Sequence, residues 1–391
     1  MAPKSTQNPL GQGQSSALAP TQPSTTSNNS SISQSELNSI ISACTQNFRH
    51  DGRSNLNYRP YTILTTKQHA TPILSNGSAR VFLPGSSTDV ICSIKAELVH
   101  PSSHQMNQGL VELNVDTLPF ASMNDDRRDI RREEMEVSST LLHLLIPHLV
   151  DKEKLVVMKG KYVWRLNIDV LVMHCDGNLM DVCSMAIWGA MQNVRLPNVT
   201  PVVSTFGDQA KDSATTTGGG SKGGKKAMDE IMLDGDIAKS VVPVGVTDCP
   251  IVVTVCMLQK YDSSNIEKSD VTSMAMTRKA QKNQNSIMIV DARRQEEACA
   301  TTKVSVSVDP KGNICGVHKY GSSSALSSES GGGGLIYSSL PQILNVAVST
   351  SQKVFEIMES SANKSNEFIN EEFGESMGAY SSFFRGHFEL R

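Results

Sequence analysis

A strand, a tight turn and a helix follow one another between residues 163 and 197. From Val163 to Met173, apolar residues alternate with polar ones at period two, as a strand buried on one face requires. The turn Asp176-Gly177-Asn178 comes next, and apolar residues then recur at helical spacing until Pro197 ends the segment. This order predicts a domain of the α/β (α+β) class, in which helices pack on a sheet.

The same order recurs in both parts of the chain. Further strands are predicted at Val81 to Leu83, Asp89 to Ile94, Gly109 to Val115, Pro250 to Leu258, Ser286 to Val290, Thr302 to Val308 and Ile314 to Lys319. Helices are predicted at Glu133 to Ile146 and at about Pro341 to Glu359. The pattern favours two βαβ-type halves packed as one domain, although residue-level similarity between the halves is too weak to count as a repeat.

Shifts in composition divide the chain. Residues 1–35 contain 21 Ser, Thr, Asn or Gln, a mixture that buries too little apolar surface to fold. We therefore predict a disordered tail at 1–35, a first half at 36–207, a flexible Gly/Lys-rich insertion at 208–236, a second half at 237–360 and a C-terminal tail at 361–391. Two further flexible insertions are predicted inside the second half, at about 263–285 and 322–334.

Charge and composition exclude several classes of protein. A formal net charge of −3 gives no global attraction to nucleic acid or anionic lipid, so any such binding is local. No apolar run approaches the roughly 18 residues of a membrane-spanning helix, and the first thirty residues lack the pattern of a secretory signal. The eight cysteines contain no CxxC spacing, which argues against zinc-ribbon and thioredoxin sites and favours buried thiols.

Five sequence blocks in order resemble the ribonuclease PH superfamily. They are Arg49-His50-Asp51-Gly52-Arg53 with Tyr58-Arg59-Pro60; Gly77 to Val81 with Thr88-Asp89-Val90 and Lys95 to Leu98; Trp164 to Asp169 with Asp176 to Leu179; Cys249 to Thr254; and Val290-Asp291-Ala292 with Gln295 to Cys299. Their wording is most similar to the core-ring subunits of the exosome within that superfamily. The resemblance covers residues 49 to 319.

The resemblance implies a fold and a set of partners. It implies the ribonuclease PH fold and membership of a hetero-hexameric ring of homologous subunits. RNA-binding cap subunits would cover this ring, and it would thread RNA towards an associated catalytic nuclease. It also implies residence in the nucleus, nucleolus and cytoplasm, with no membrane partner and no cofactor. A neighbouring position in the ring stays open as an alternative.

Catalysis by this superfamily needs a cationic cradle for inorganic phosphate. In active relatives, an Arg-Ser pair opens a helix just before an Ile-Glu-Ile-Ser-like run, and Met135-Glu136-Val137-Ser138 resembles that run. Glu133 and Glu134 would then occupy the cradle. A carboxylate about 4 Å from a phosphate charge is unfavourable by about 4 kcal/mol at an effective dielectric near 20. We therefore expect a degenerate phosphate site.

The resemblance also assigns a pair of metal-holding carboxylates, which here are Asp291 and Glu297, six residues apart. Without a phosphate cradle, we interpret them as a remnant acidic pair, with no catalytic residue and no bound metal. The chain is accordingly expected to be a catalytically silent homologue. The alternative is an active phosphorolytic 3′ to 5′ exoribonuclease that uses Asp291 and Glu297 with an arginine cradle.

Basic residues supply the candidate RNA contacts. Arg127, Arg128, Arg131 and Arg132 form a cluster that can bind RNA phosphates in a sequence-independent way, or can instead be the solvated start of a helix. Arg49, Arg53 and Arg59 leave the same two possibilities open. For Arg53 the Asp-Gly-Arg turn favours a structural role.

Overall fold

The computed structural model describes residues 32–65, 75–84, 88–101, 107–119, 121, 127–203, 229–234, 239–243, 245–259, 286–320 and 337–361. The insertions predicted at 263–285 and 322–334 lie outside the described residues, as do residues 1–31, 208–228 and 362–391.

Twelve named strands are present in this part of the chain. They are β1 Thr62–Thr65, β2 Gly77–Phe82, β3 Asp89–Val99, β4 Leu110–Thr117, β5 Val156–Met158, β6 Tyr162–His174, β7 Val199–Val203, β8 Asp229–Leu233, β9 Ile251–Gln259, β10 Ser286–Val290, β11 Thr302–Val308 and β12 Ile314–Tyr320. The helices are α1 Gln34–Thr45, α2 Arg127–Leu144, α3 Ile146–Leu149, α4 Leu179–Gln192, α5 Arg294–Cys299 and α6 340–361. The predicted strands and helices are thus confirmed in type, and β10 and β11 match to the residue.

The first half contains a mixed sheet with the order β1-β2-β3-β6-β4, and β5 pairs with β6. Strands β4 and β6 are parallel, and the chain between them forms α2 and α3, which makes a βαβ crossover. The predicted alternation in β6 is confirmed, because Trp164, Leu166, Ile168, Val170 and Val172 are buried.

The second half contains a four-stranded sheet with the order β10-β9-β11-β12. Its paired strands are all antiparallel among the residues described, so this half keeps the strand-then-helix order without a parallel crossover. Helix α6 covers one face, where Ile343 and Ala347 pack against the valines of β9 and β11.

Helix α4 lies between the two sheets and unites them in one domain. Twelve consecutive residues, from Met180 to Met191, are buried. The turn before it docks against the second half, since a Cβ on Gly177 (φ 80°) would approach within 2.5 Å of the Arg294 backbone nitrogen. Only glycine satisfies both the positive φ and this close approach, which explains the Asp-Gly-Asn turn.

Three boundaries differ from the sequence prediction. Helix α1 begins at Gln34, inside the predicted tail, because Ser33 caps it and Leu37, Ile40, Ile41 and Cys44 bury one face of it. Strand β8 lies inside the predicted insertion 208–236, where it pairs with β7. Helix α2 begins at Arg127, six residues before the predicted Glu133, so its first turns are basic.

Two expectations about side chains and membranes have clear outcomes. Six of the eight cysteines are buried, and Cys175 and Cys315 are half-buried. Within the described ranges, no helix is both long and apolar enough to cross a bilayer.

Candidate functional site

Asp291 follows β10 and is the centre of a buried polar cluster. Its side chain has no solvent exposure, and its backbone has a left-handed conformation (φ 47°) that non-glycine residues rarely adopt. Six donor groups reach its carboxylate oxygens. They are the Arg59 backbone N–H, Nε and Nη2, Arg53 Nη1, the Tyr61 hydroxyl and Asn178 Nδ2, at 2.7 to 3.1 Å. We call these residues the Asp291 node.

The two arginines of the node are fully occupied by other protein groups. Arg53 also donates to Asp51 at 2.7 Å and to the Asn57 carbonyl at 2.8 Å. Arg59 also donates to the Asp176 carbonyl at 3.1 Å. Because these guanidinium groups are consumed by carboxylate and carbonyl oxygens, they do not form a cradle for a phosphate ion. The structural interpretation of Arg53 is therefore supported.

A second buried ion pair extends the node. Arg49 is completely buried and donates through Nε to Glu296 at 2.9 Å, while its Nη2 donates to the other oxygen of the same carboxylate. The remaining donors of Arg49 reach the carbonyl oxygens of Val290 and Asp291, both at 2.8 Å. The segment after α1 is thereby fastened to the second half, and removing either partner would leave a buried charge unpaired.

The electrostatics of Asp291 follow from these contacts. Burial alone would raise the pKa of its carboxyl group, but the hydrogen bonds and charge of Arg59, helped by Arg53, outweigh burial and lower the pKa to about 2. Asp291 is therefore ionised at any physiological pH, and both of its oxygens are engaged within the protein.

Glu297 faces a different environment from Asp291. It lies on α5, where one carboxylate oxygen accepts the Asn178 backbone N–H at 2.9 Å and the other lies 3.7 Å from Lys303 Nζ. Its side chain is about one-fifth exposed. Asn178 thus joins the two members of the predicted pair, since its side chain binds Asp291 and its backbone binds Glu297.

Glu133 of α2 lies beside the same opening. Its side chain is exposed by area, yet crowding by surrounding protein desolvates it and raises the pKa of its carboxyl group. The negative charges of Glu297 and Glu136 act in the same direction, whereas Arg294 and Lys303 lower the pKa. We call this set, the exposed Glu133 with the partly buried Glu297 and Lys303, the acidic hollow.

Glu134 does not join the acidic hollow. Its carboxylate accepts the backbone N–H of Thr117 at 2.7 Å, at the end of β4. It lines a separate hollow of about 520 Å³ between α2 and strands β4 and β6, together with Asp116 and Asp169. The degenerate phosphate site predicted from both Glu133 and Glu134 therefore reduces to Glu133, because successive helical residues point in different directions.

The four candidate RNA-binding arginines occupy the first two turns of α2. Arg127, Arg128, Arg131 and Arg132 are exposed on the helix that carries Glu133. These four arginines take no part in the hydrogen bonds and ion pairs of the Asp291 node.

Asp181 is a functional-looking carboxylate that sequence reasoning missed. It is fully buried in α4 and accepts the Thr254 hydroxyl at 2.6 Å, the Thr254 backbone N–H at 3.0 Å and the Tyr58 hydroxyl. Burial raises its pKa to about 7 against the hydrogen bonds of Thr254 and Tyr58. Its place in an otherwise apolar helix was the available signal.

The divalent metal implied by the resemblance does not suit these residues. Asp291 has every oxygen hydrogen-bonded to protein donors, and Glu297 is shared between Asn178 and the positive charge of Lys303. In the ranges that the structure describes, no group of three or more His, Cys, Asp or Glu side chains is arranged to hold a metal ion. A hard cation needs several unengaged oxygens, which the pair does not offer.

Comparisons with known proteins place this architecture. The profile of the 3′ exoribonuclease family (RNase PH), domain 1, matches residues 58–197, and the domain 2 profile matches residues 248–330, together more than half of the chain. This chain belongs to the RNase PH family. The two matched regions correspond to the two sheets, and the ribonuclease PH fold predicted from the five blocks is confirmed.

Several curated relatives within the family are similar over most of the chain. The exosome complex component Rrp42 of Sulfurisphaera tokodaii is 28% identical over 87% of this chain and 98% of its own length. A putative exosome complex exonuclease RRP42 of Dictyostelium discoideum is 24% identical over 84% of the chain and 97% of its own length. The exosome complex component RRP45 of Saccharomyces cerevisiae is 22% identical over 74% and 81%.

A solved structure shares the fold. A chain of the Archaeoglobus fulgidus exosome with RNA bound to the active site aligns with a TM-score of 0.54 at 20% identity, covering 82% of this chain and 96% of that one. At this identity the likeness establishes the fold and leaves the chemistry to be argued from the residues.

Proposed function

We propose that this chain is a non-catalytic subunit of an RNA exosome core ring. It would support 3′ to 5′ RNA processing and degradation, including rRNA maturation and mRNA turnover, by completing the ring and channelling RNA. Family membership and relatives named as exosome components support the assignment to a ring. Residence in the nucleus, nucleolus and cytoplasm belongs to the same proposal.

The observation that carries the silent role is the acidic hollow. A phosphate nucleophile would have to approach Glu133 and Glu297, whose charges repel it. The arginines nearest to Asp291 are paired inside the protein, so they do not compensate. A site built in this way presents neither the cationic cradle nor the open metal position that phosphorolysis needs.

Catalysis can be tested with the ring reconstituted around this chain, using partner subunits whose own sites are inactivated. We expect no release of nucleoside diphosphates from RNA in the presence of phosphate and Mg²⁺. The control is a matched ring in which one partner keeps its active site. Steady release that disappears in Glu297→Gln would refute the silent role and favour the active exoribonuclease, the second function that the residues allow.

The proposed partners are homologous ring subunits, an RNA-binding cap subunit, RNA and an associated catalytic nuclease. Exposed apolar side chains on β8 and in the segment after it, Met232, Leu233, Val241 and Val242, support a ring contact because isolated two-stranded ribbons are marginal in water. The isolated chain should accordingly associate in light-scattering measurements. A stable monomer would contradict this part of the proposal.

The RNA-binding role of α2 rests on its exposed basic start. Reversing Arg127, Arg128, Arg131 and Arg132 to Glu should weaken RNA retention by the ring and flatten its salt dependence, by about 0.7 in slope for each RNA phosphate that the ring no longer binds. A control with Lys152 and Lys154 reversed should leave both quantities unchanged, since these residues lie on the turn after α3 and not on α2. Unchanged binding in the arginine variant would leave the solvated-helix interpretation.

A further inference from the structure

Lys303 is the residue of the acidic hollow that the sequence analysis did not single out. It lies on β11, between Cys256 of β9 and Tyr320 of β12 in the register of the sheet. Its neighbours Thr302 and Val304 are buried, and alternation along the strand turns Lys303 to the opposite face. About three-quarters of its side chain is covered, which is unusual for a lysine.

Two carboxylates from different helices act on this lysine, Glu297 by contact and Glu133 through its charge. Glu297 of α5 is fixed by the Asn178 N–H and lies 3.7 Å from Lys303 Nζ. The charge of Glu297 is the main reason that the pKa of Lys303 is raised; burial opposes the rise, and the charge of Glu133 on α2 makes a smaller contribution to it. Because β11 is an inner strand of its sheet and is hydrogen-bonded on both sides, the backbone of Lys303 is fixed in place.

We propose that Lys303 is a tethered cation that occupies the place between Glu297 and Glu133 where a divalent ion would have to bind. The ammonium group supplies the positive charge that these two carboxylates require, and it is attached to the protein by its own strand. This inference rests on the proposed function and deepens it. Lys303 offsets part of the negative charge of Glu297 and Glu133, and the same ammonium group keeps divalent ions out.

The electrostatic argument has two parts. A dication entering beside Lys303 meets a positive charge that lies 3.7 Å from the Glu297 carboxylate. It also finds Asp291 already engaged by Arg53 and Arg59, so it cannot gain a third carboxylate. Small divalent ions give up bound water reluctantly, and one or two carboxylates competing with an ammonium group do not replace it.

Mn²⁺ binding to the full-length chain, followed by electron paramagnetic resonance of the free ion, tests this inference. Lys303→Met removes the charge and keeps the length, and it should create one Mn²⁺ site at least ~10-fold tighter than any in the wild type. The site should disappear in Lys303→Met with Glu297→Gln. Lys303→Arg is the matched control, because it keeps the cation and should stay without the site.

Two results would overturn the inference. One is a wild-type Mn²⁺ site that is abolished in Glu297→Gln, a comparison that needs no change at Lys303. The other is a folded Lys303→Met protein, checked by circular dichroism, that gains no site. The outcome is separable from that of the proposed function, since a wild-type chain that binds Mn²⁺ without releasing nucleoside diphosphates in the ring would sink this inference alone.

Discussion

Asp291 and Glu297 lie six residues apart in the chain and belong to two different kinds of site. The carboxylate of the Asp291 node is fully buried, and Arg53 and Arg59 neutralise it with charge-assisted hydrogen bonds. The acidic hollow around Glu297 is half-exposed and contains one lysine for two carboxylates. The spacing of Asp291 and Glu297 resembles that of a metal-holding pair. Asp291 nevertheless belongs to the buried contacts that hold the fold together, whereas Glu297 belongs to a partly exposed surface.

This difference separates the sequence blocks that define the fold from those that would define the chemistry. Three guanidinium groups donate hydrogen bonds to the segment that contains Asp291 and Glu296. They belong to Arg49, Arg53 and Arg59. The sequence blocks that contain these residues therefore balance one another's charges in the protein interior. This charge balance does not depend on whether the acidic hollow can bind phosphate. A chain can therefore keep these blocks without catalysing phosphorolysis.

The largest expected effect comes from exchanging one carboxylate for its amide in each region. Asp291→Asn should lower the free energy of unfolding by about 3–5 kcal/mol, because it leaves buried arginines without their partner. Glu297→Gln keeps an oxygen for the Asn178 N–H, so it should cost less than about 1 kcal/mol. Urea unfolding of the full-length chain, followed by circular dichroism, measures both. Equal losses would show that the two regions are not different in kind.

A pH-dependent effect of intermediate size is expected at Asp181, a buried carboxylate that is not paired with an arginine. It therefore provides a contrast to Asp291. The pKa of Asp181 is raised to about 7, so its contribution to stability is fully present below about pH 4 and is lost as the pH rises towards 7. Wild-type stability should therefore fall by about 2 kcal/mol more between pH 5 and pH 7 than that of Asp181→Asn.

Asp291 has the opposite sign and a separate window. Its pKa is lowered to about 2, so its contribution is present above about pH 4 and is lost only in stronger acid. It therefore does not disturb the Asp181 measurement between pH 5 and pH 7. Identical pH profiles for wild type and Asp181→Asn would contradict the assignment.

The smallest effect is expected at Glu133. Its raised pKa means that its charge is unfavourable in the folded state, so Glu133→Gln should be neutral or stabilising at pH 7, by no more than about 0.5 kcal/mol for an exposed site. Thermal unfolding beside Glu136→Gln, an exposed neighbour on the same helix, checks this. A clear loss of stability would mean that Glu133 is a structural partner, like the groups around Asp291.

The sequence was sufficient for elements whose burial pattern is local. Strands β10 and β11 were predicted to the residue because their runs rich in β-branched residues begin and end at polar residues. Helix α1 was missed, although Leu37, Ile40, Ile41 and Cys44 have helical spacing, because the Ser-rich composition around it dominated the interpretation. The predicted start of helix α2 was six residues too late because its first turns are charged.

The site could be predicted only in part, since its decisive contacts join distant segments. The spacing of Asp291 and Glu297 was visible, but the arginines that occupy Asp291 lie more than 230 residues earlier in the chain. Lys303 gave no signal, because a lysine in a strand is ordinarily a solvent-facing residue. From the sequence alone, Glu134 was equivalent to Glu133. In the structure, the helix directs the Glu134 carboxylate towards the backbone N–H of Thr117.

The separation between Arg59 and Asp291 has a consequence for how the chain is made. Arg59 leaves the ribosome 232 residues before its carboxylate partner, an interval of roughly 10 to 50 s at ordinary rates of translation. Throughout that interval the nascent first half carries the guanidinium groups of Arg53 and Arg59 without Asp291, the carboxylate that they share in the folded protein. The buried contact that joins the two halves at Asp291 can therefore form only after residue 291 has been synthesised.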